Sequence, residues 1–458
     1  MEERPWDIMN ISLTFFFGGL RMADIQEQFQ SYRSGRVHIQ VLPSKQFHTR
    51  HLTVKLVTPL RRETLTPWAL LPYLWLEGTS AHPTPLAVSR YAETLLGASV
   101  RTLSNKRGDV QVAELYASVP DETVFTVAQG VFHDLLQFVA QLIGNPSGGP
   151  ERFSMAAVTR EKTLHKKRIE SLMDDKIAYA LERCLAAMCE DEPAGLPRLG
   201  LLEDLTGITA SQLWDAQQKL LREAEIYVYL VGRFAHPEGM VSEVQEILAP
   251  VFPTVSRINS TYTQAILVRA GQVRQVAEVQ DVVQGKLNLG FRTGIGYGDK
   301  EYPALLFANG ILGGFPHSKL FVHVRERAGL AYYASSRLDG LTGMTVVQSG
   351  IEMSNKDKVT DIAMEQVTAL QSGEITDEEM EFTRRGLRNQ YMQAMDQPLT
   401  LADIHFQGVL AGSLRDTQDI LEQLSKLKKE DVAAAAAHLQ LDTIYFLHGE
   451  EAAAHAGA

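Results

Sequence analysis

The sequence predicts a mixed α+β chain made of two related halves, and three observations carry that prediction. A helix-then-strand unit occurs twice, alternating strand patterns share the chain with long helical runs, and a proline-bearing break separates the two copies. Residues 202–232 run LEDLTGITASQLWDAQQKLLREAEIYVYLVG and residues 421–449 run LEQLSKLKKEDVAAAAAHLQLDTIYFLHG. Self-similarity at this scale points to a duplicated unit. Helix-then-strand units are also common in unrelated chains, so coincidence is the competing explanation. In the first copy Thr209 caps a helix whose stripe is Leu213, Ala216, Gln217, Leu220 and Leu221, and Ile226–Val231 is a strand closing on Gly232. The second copy repeats this with a helix over Lys428–Leu439, a strand over Thr443–Leu447 and Gly449.

The remaining elements follow in chain order. Ile11–Leu20 is apolar, but Glu2, Glu3 and Asp7 precede it with Arg4 as the one base. It is too short to span a bilayer and no Ala-x-Ala-like site follows, which argues against a signal peptide. Residues 1–22 are expected to form an N-terminal extension, with 1–21 a start-site extension or loosely held tail before Met22. The first half covers residues 23–235. In it Val37–Leu42 and His51–Leu56 alternate as strands, while Pro85–Leu96 and Glu161–Cys189 have helical periodicity. Residues 236–262 are a linker: His236-Pro237-Glu238-Gly239 opens it, Pro250 and Pro253 lie within it, and one short helix is predicted over Val241–Leu248. The second half covers 263–449, and residues 450–458 are a fraying tail.

Composition narrows the function. With 22% charged and 45% hydrophobic residues among 458, the chain is neither disordered nor a multi-span membrane protein. A net charge of −11 argues against nucleic acid, whose binders need clustered Lys and Arg to release counterions. Two cysteines, Cys184 and Cys189 in one predicted helix, cannot build a disulfide framework or a thiolate zinc site, which fits a reducing, cytoplasmic setting.

Two segments at comparable depths in the halves carry a family resemblance. Residues 69–79, ALLPYLWLEGT, followed by Pro83-Thr84 and Tyr91-Ala92-Glu93 with Gly97-Ala98, resemble the active-site helix region of pitrilysin/insulinase-type, mitochondrial-processing-peptidase-like zinc peptidases. Residues 310–336, GILGGFPHSKLFVHVRERAGLAYYASS, resemble the matching signature in that family's second half. The resemblance runs from Met22 over nearly the whole chain. It implies two homologous α/β sandwich halves, each an antiparallel-rich sheet with helices packed on it, together forming half of a clamshell.

The departures from the family matter more. Active members carry His-x-x-Glu-His on the first helix, where two imidazoles on one face bind Zn²⁺ and the glutamate activates water. Aligned on Gly78-Thr79, those positions are Ala69, Pro72 and Tyr73. Alanine has no ligand atom, proline has no acid and perturbs a helix, and neutral tyrosine is a poor zinc ligand. The third ligand, a glutamate in the family, aligns with Arg168 within EKTLHKKR. Glu161 and Glu170 are nearby carboxylates that a slip of alignment would bring in, but no slip restores the histidines. The expectation is a chain without metal, zinc being held only by an active partner.

Other metal sites fare no better. His48 and His51 are three apart, and on a strand such side chains point to opposite faces. Glu161 and His165 are i,i+4 on a predicted helix, where a solvated charge-assisted pair is favoured over a shared metal. No Gly-x-Ser-x-Gly, Walker or dinucleotide fingerprint is present.

What survives is the Arg/Tyr pair. In VRERAGLAY, Arg325 and Tyr332 have the spacing that the family uses for substrate contact. A guanidinium and a phenol at a helix end and the next strand start both donate to a peptide carbonyl or a developing oxyanion, and Gly329 permits the turn between them. The competing reading has Arg325 paired to a local carboxylate and Tyr332 half-buried.

Loss of the metal motif with retention of this pair resembles the non-catalytic subunit of a bacterial-type heterodimeric zinc peptidase. That resemblance implies no activity alone, an active homologue as partner, and an extended peptide held opposite the partner's zinc. If the interior shares the acidic balance, basic peptides are favoured. The alternative is a non-enzymatic peptide-binding or chaperone-like homodimer. No membrane or nucleic-acid partner is expected.

Overall fold

The computed structural model describes residues 28–125, 130–148, 153–253, 266 and 271–450. The expected extension over 1–22, the start of the second half at 263–265, most of the region between Pro253 and it, and tail residues 451–458 lie outside the described residues.

The first sheet comprises β1 (Gln30–Ser34), β2 (Val37–Pro43), β3 (Thr49–Pro59), β4 (Ser99–Arg107), β5 (Val110–Pro120) and β6 (Glu225–Gly232) in the order β1-β2-β6-β3-β5-β4. The second comprises β7 (Arg274–Val279), β8 (Gly285–Arg292), β9 (Ala331–Asp339), β10 (Met344–Ile351) and β11 (Gln440–His448) in the order β7-β11-β8-β10-β9. In each, the late strand is inserted beside an early one. β6 runs parallel to β2 and antiparallel to β3, and β11 runs parallel to β7 and antiparallel to β8. The two repeated sequence units thus occupy the same slot of two like-ordered sheets, which makes the fold a duplicated α+β one.

Helices in the first part of the chain are α1 (Leu65–Leu74), α2 (Pro85–Thr94), α3 (Val131–Gly144), α4 (Met155–Asp174), α5 (Lys176–Met188), α6 (Leu202–Gly207), α7 (Ala210–Glu223) and α8 (Pro237–Ile247). Those in the second are α9 (Tyr302–Asn309), α10 (Lys356–Gln371), α11 (Asp377–Met395), α12 (Pro398–Leu410), α13 (Thr417–Lys426) and α14 (Lys429–Ala436). The α7 start is a capping box in which Thr209 and Gln212 exchange side-chain-to-backbone bonds. The predicted Glu161–Cys189 helix is in fact two, because Asp175 leaves helical geometry and its carboxylate caps α5 through the Ile177 and Ala178 N–H groups. Cys189 follows α5 as its C-cap. The helix expected over Lys428–Leu439 is shorter, ending at Ala436.

Both repeated strands are covered on both faces, and the cover is exchanged. On β6, Ile226, Val228 and Leu230 join the core under α1, α3 and α7, while Tyr227 and Tyr229 meet Ala402, Phe406 and Leu410 of α12. On β11, Phe446 joins the core under α9, α10, α11, α13 and α14, while Tyr445 and Leu447 meet Ala180, Cys184 and Met188 of α5. Each half of the sequence therefore lends one helix to the back of the other sheet. Burying a side chain such as Phe406 contributes about 1.5–3 kcal/mol. The fit is close at β8, where a Cβ on Gly290 would lie 2.3 Å from Met188 Sδ. Among the described residues no helix is long and apolar enough to cross a membrane.

Candidate functional site

The first-half positions sit on α1 and α4. Helix α1 is apolar on all sides because neighbours enclose it: Leu65, Ala69, Leu70, Leu71, Pro72 and Leu74 are all buried. Pro72 falls in its last turn, and the chain tightens into a 3₁₀ turn over Trp75–Glu77 directly after it. Tyr73, one turn beyond Ala69, reaches β4, where the Ser104 N–H donates to its hydroxyl at 3.5 Å. Over the Tyr73 ring lies the Arg168 guanidinium of α4, 3.9 Å from the centroid. The same guanidinium is ion-paired with Glu161. The structure therefore brings Tyr73 and Arg168 together, with Ala69 and Pro72 on the α1 turn beneath them.

The expected solvated face at Glu161 and His165 is wrong. Both are buried, at 2% and 0% exposure, because this stripe of α4 packs on α1 instead of facing water. They do not pair with each other. Burial pushes the Glu161 carboxyl above its ordinary range, with the Arg168 hydrogen bond and charge opposing that. His165 Nε2 donates to Leu199 O at 2.8 Å, and its Nδ1 has no hydrogen-bond partner among the described residues. Burial holds the imidazole neutral, down to about 4. Glu170 is on the exposed side, 3.6 Å from Lys166, and does not reach the cluster. A second ion pair, Glu77 with Arg160, ties the end of α1 to α4. No spacing in the sequence signalled that pair.

The zinc that the resemblance implies does not fit these residues. The positions present a methyl, a pyrrolidine ring, a phenol and a guanidinium, and the nearest carboxylate is already neutralised by Arg168. Among the described residues no group of three or more His, Cys, Asp or Glu is placed to hold a metal. His51 lies on β3, where Nε2 contacts Thr49 Oγ1 at 2.6 Å and burial brings it down to about 4, while His48 precedes the strand.

The second-half pair has the opposite character. Residues Gly310–Gly314 and Phe321–Arg327 form π-helical turns, a geometry concentrated at functional sites. The second is followed by Ala328 and Gly329, whose φ of +64° favours glycine, and the chain enters β9 at Ala331. Arg325 is exposed, and among the described residues it makes no ion pair; its guanidinium lies 4.5 Å from the Phe321 ring centroid. Tyr332 is 67% exposed. Neither the carboxylate partner nor the half-buried phenol of the competing reading is present. Among the described residues β9 is the terminal strand of its sheet, bonded to β10 alone. Sequence reading passed over Phe321, although its i,i+4 spacing to Arg325 is the signal that would have found it. The site thus offers two donors beside a strand edge that can accept another strand.

A duplicated sheet fold, with side chains unsuited to zinc at the positions that the resemblance aligns with the family's ligands and an exposed Arg/Tyr pair in the other half, is that of a metallopeptidase-like protein of the inactive type. Comparison with known proteins agrees. The profile of the "Peptidase M16 inactive domain" matches residues 207–387. The "Probable inactive metalloprotease YmfF" of Bacillus subtilis is 33% identical over 421 residues, covering 92% of this chain and 98% of that protein. The crystal structure of a conserved protein from Enterococcus faecalis V583 superposes with a TM-score of 0.85 at 28% identity, covering 92% of this chain and 99% of that one. The peptidase M16 inactive domain from Pseudomonas fluorescens shares the fold, with a TM-score of 0.73 at 18% identity over 92% of this chain and 98% of its own. The chain belongs to the M16, pitrilysin/insulinase-type family, and within it is an inactive metallopeptidase homologue.

Proposed function

We propose that this chain is the non-catalytic subunit of a heterodimeric M16 zinc peptidase. It binds an extended peptide and presents Arg325 and Tyr332 opposite the zinc of an active partner. One observation carries the reading: the two donors are exposed and uncommitted at a sheet edge, while the chain's own metal position is filled by a cation. A surface arginine normally gains by pairing with a carboxylate, and one held on an aromatic ring instead remains available to a ligand. Zinc belongs to the partner alone in this scheme, and the buried free thiols of Cys184 and Cys189 support a reducing cytoplasmic home.

The test is reconstitution. Mixed with an M16 homologue from the same organism that retains His-x-x-Glu-His, the chain is expected to co-elute as a mixed dimer and to raise peptidase activity above that of either protein alone. A partner fully active without this chain and unaffected by it overturns the reading. Self-association with peptide binding and no mixed dimer would favour a peptide-binding homodimer instead.

A further inference from the structure

We propose that Arg168 is a built-in replacement for a metal tie: it clamps α4 to α1 through Tyr73 and keeps divalent cations from binding between the two helices. A metal ion joins two helices by drawing lone pairs from both. Here the positive centre is carried by α4 itself and its receptor on α1 is a π face, 3.9 Å away. Glu161, two turns back on α4, completes the site by pairing with the same guanidinium, which fixes the direction in which Arg168 points. The His165 ring lies between these two positions on α4, tilted against Tyr73 with centroids 5.7 Å apart. The stripe formed by Glu161, His165 and Arg168 is therefore the part of α4 that rests on Tyr73.

The burial of Glu161 makes the arrangement self-consistent. At 2% exposure its carboxylate depends on Arg168 for compensation, so loss of the guanidinium strands a buried charge. An incoming divalent ion meets a fixed positive charge and a carboxylate already committed to it. Displacing Arg168 would break the ion pair and the ring contact together. The fold of this half is then independent of metal.

Thermal unfolding of the full chain alone tests the idea, so its outcome does not depend on the heterodimer reading. The wild-type Tm is expected to be unmoved by EDTA or by added zinc. Arg168→Met is expected to lower Tm by about 5 °C, as for a partly exposed arginine paired to a buried acid. Tyr73→Leu is expected to lower it too, and the double variant should fall by less than the two shifts added, because both remove one contact. Additive shifts, or a wild-type chain that zinc stabilises or EDTA destabilises, would overturn the proposal. Should Arg168→Met not fold, Arg168→Lys decides. It keeps a charge for Glu161 and loses the planar stack, so a Tm below wild type is expected and an unchanged Tm sinks the clamp.

Discussion

Lys55 Nζ on β3 donates to Asp403 Oδ1 on α12 across 2.7 Å, joining residues 348 positions apart. The contact marks the place where a helix from the second part of the chain covers the back of the first sheet. Lys55 also reaches Glu114 on β5 at 3.1 Å, and both side chains are fully buried. The Phe406 and Tyr116 rings flank the ammonium at 4.9 and 5.3 Å. Replacing Lys55 with Met leaves Glu114 buried without its cation, which is expected to cost about 3–5 kcal/mol. Asp403 is partly exposed and Lys55 keeps Glu114 without it, so Asp403→Ala is expected to cost only about 1–2 kcal/mol. Urea unfolding of the two variants ranks them, and equal losses would show that Asp403, not the buried pair, secures the helix.

The reciprocal contact, α5 on the second sheet, is predicted to be acid-sensitive. Glu278 on β7 accepts from the Tyr179 hydroxyl at 2.5 Å, the Tyr445 hydroxyl at 2.8 Å and Arg183 Nε at 2.9 Å. Burial alone would push this carboxyl up, but these donors outweigh it and hold the group at about 2, against an ordinary 4.5. The native state therefore binds fewer protons here than the unfolded chain. Its contribution is whole above pH 4.5 and is lost as pH falls from 4.5 toward 2. Glu278→Gln should be less stable than wild type at pH 7 and show a flatter decline in Tm between pH 5 and pH 3. A parallel decline would remove Glu278 as its source.

Cys184 and Cys189 are predicted to be silent toward thiol reagents in the native state. Burial raises each to about 12, so neither carries appreciable thiolate at pH 8. Both lie in the seam between α5 and the second sheet, with Cys189 Sγ 3.7 Å from Met344 Sδ. Ellman's reagent should count no thiols in the native chain and both in denaturant. Rapid native labelling would mean that α5 lifts from the sheet.

The duplication was legible because a repeated amphipathic helix and an all-apolar strand leave a local signature, and Thr209 with Gln212 spells a helix start. The exchange of α5 and α12 was not legible, since nothing in a helix's own stripe says which sheet will receive it. At the positions that the resemblance aligns with the family's metal ligands, Ala69, Pro72, Tyr73 and Arg168, the sequence showed side chains unsuited to hold zinc. It could not show what those side chains do instead. The ring-to-guanidinium contact joins residues 95 positions apart, and the burial of Glu161 and His165 reflects the packing of α4 on α1. A charged helical stripe such as EKTLHKKR reads as solvated until its neighbour is known.

The last prediction separates binding from folding at the second-half site. Arg325 is exposed and Tyr332 is 67% exposed, so neither supports the core. Arg325→Ala and Tyr332→Phe should each leave Tm within about 1–2 °C of wild type, as surface changes away from buried networks do. The same variants should lower the activity of the reconstituted pair, Arg325→Ala by about tenfold to a hundredfold if the guanidinium donates to a carbonyl or oxyanion. Phe321→Leu removes the ring that holds Arg325 at 4.5 Å without touching a donor. It should give a smaller loss, because the guanidinium is still present but no longer held in one direction. Measuring Tm and activity on each variant distinguishes the outcomes. Activity lost in step with Tm would make the pair structural, and activity unchanged in all three would leave the edge of β9 with no part in catalysis.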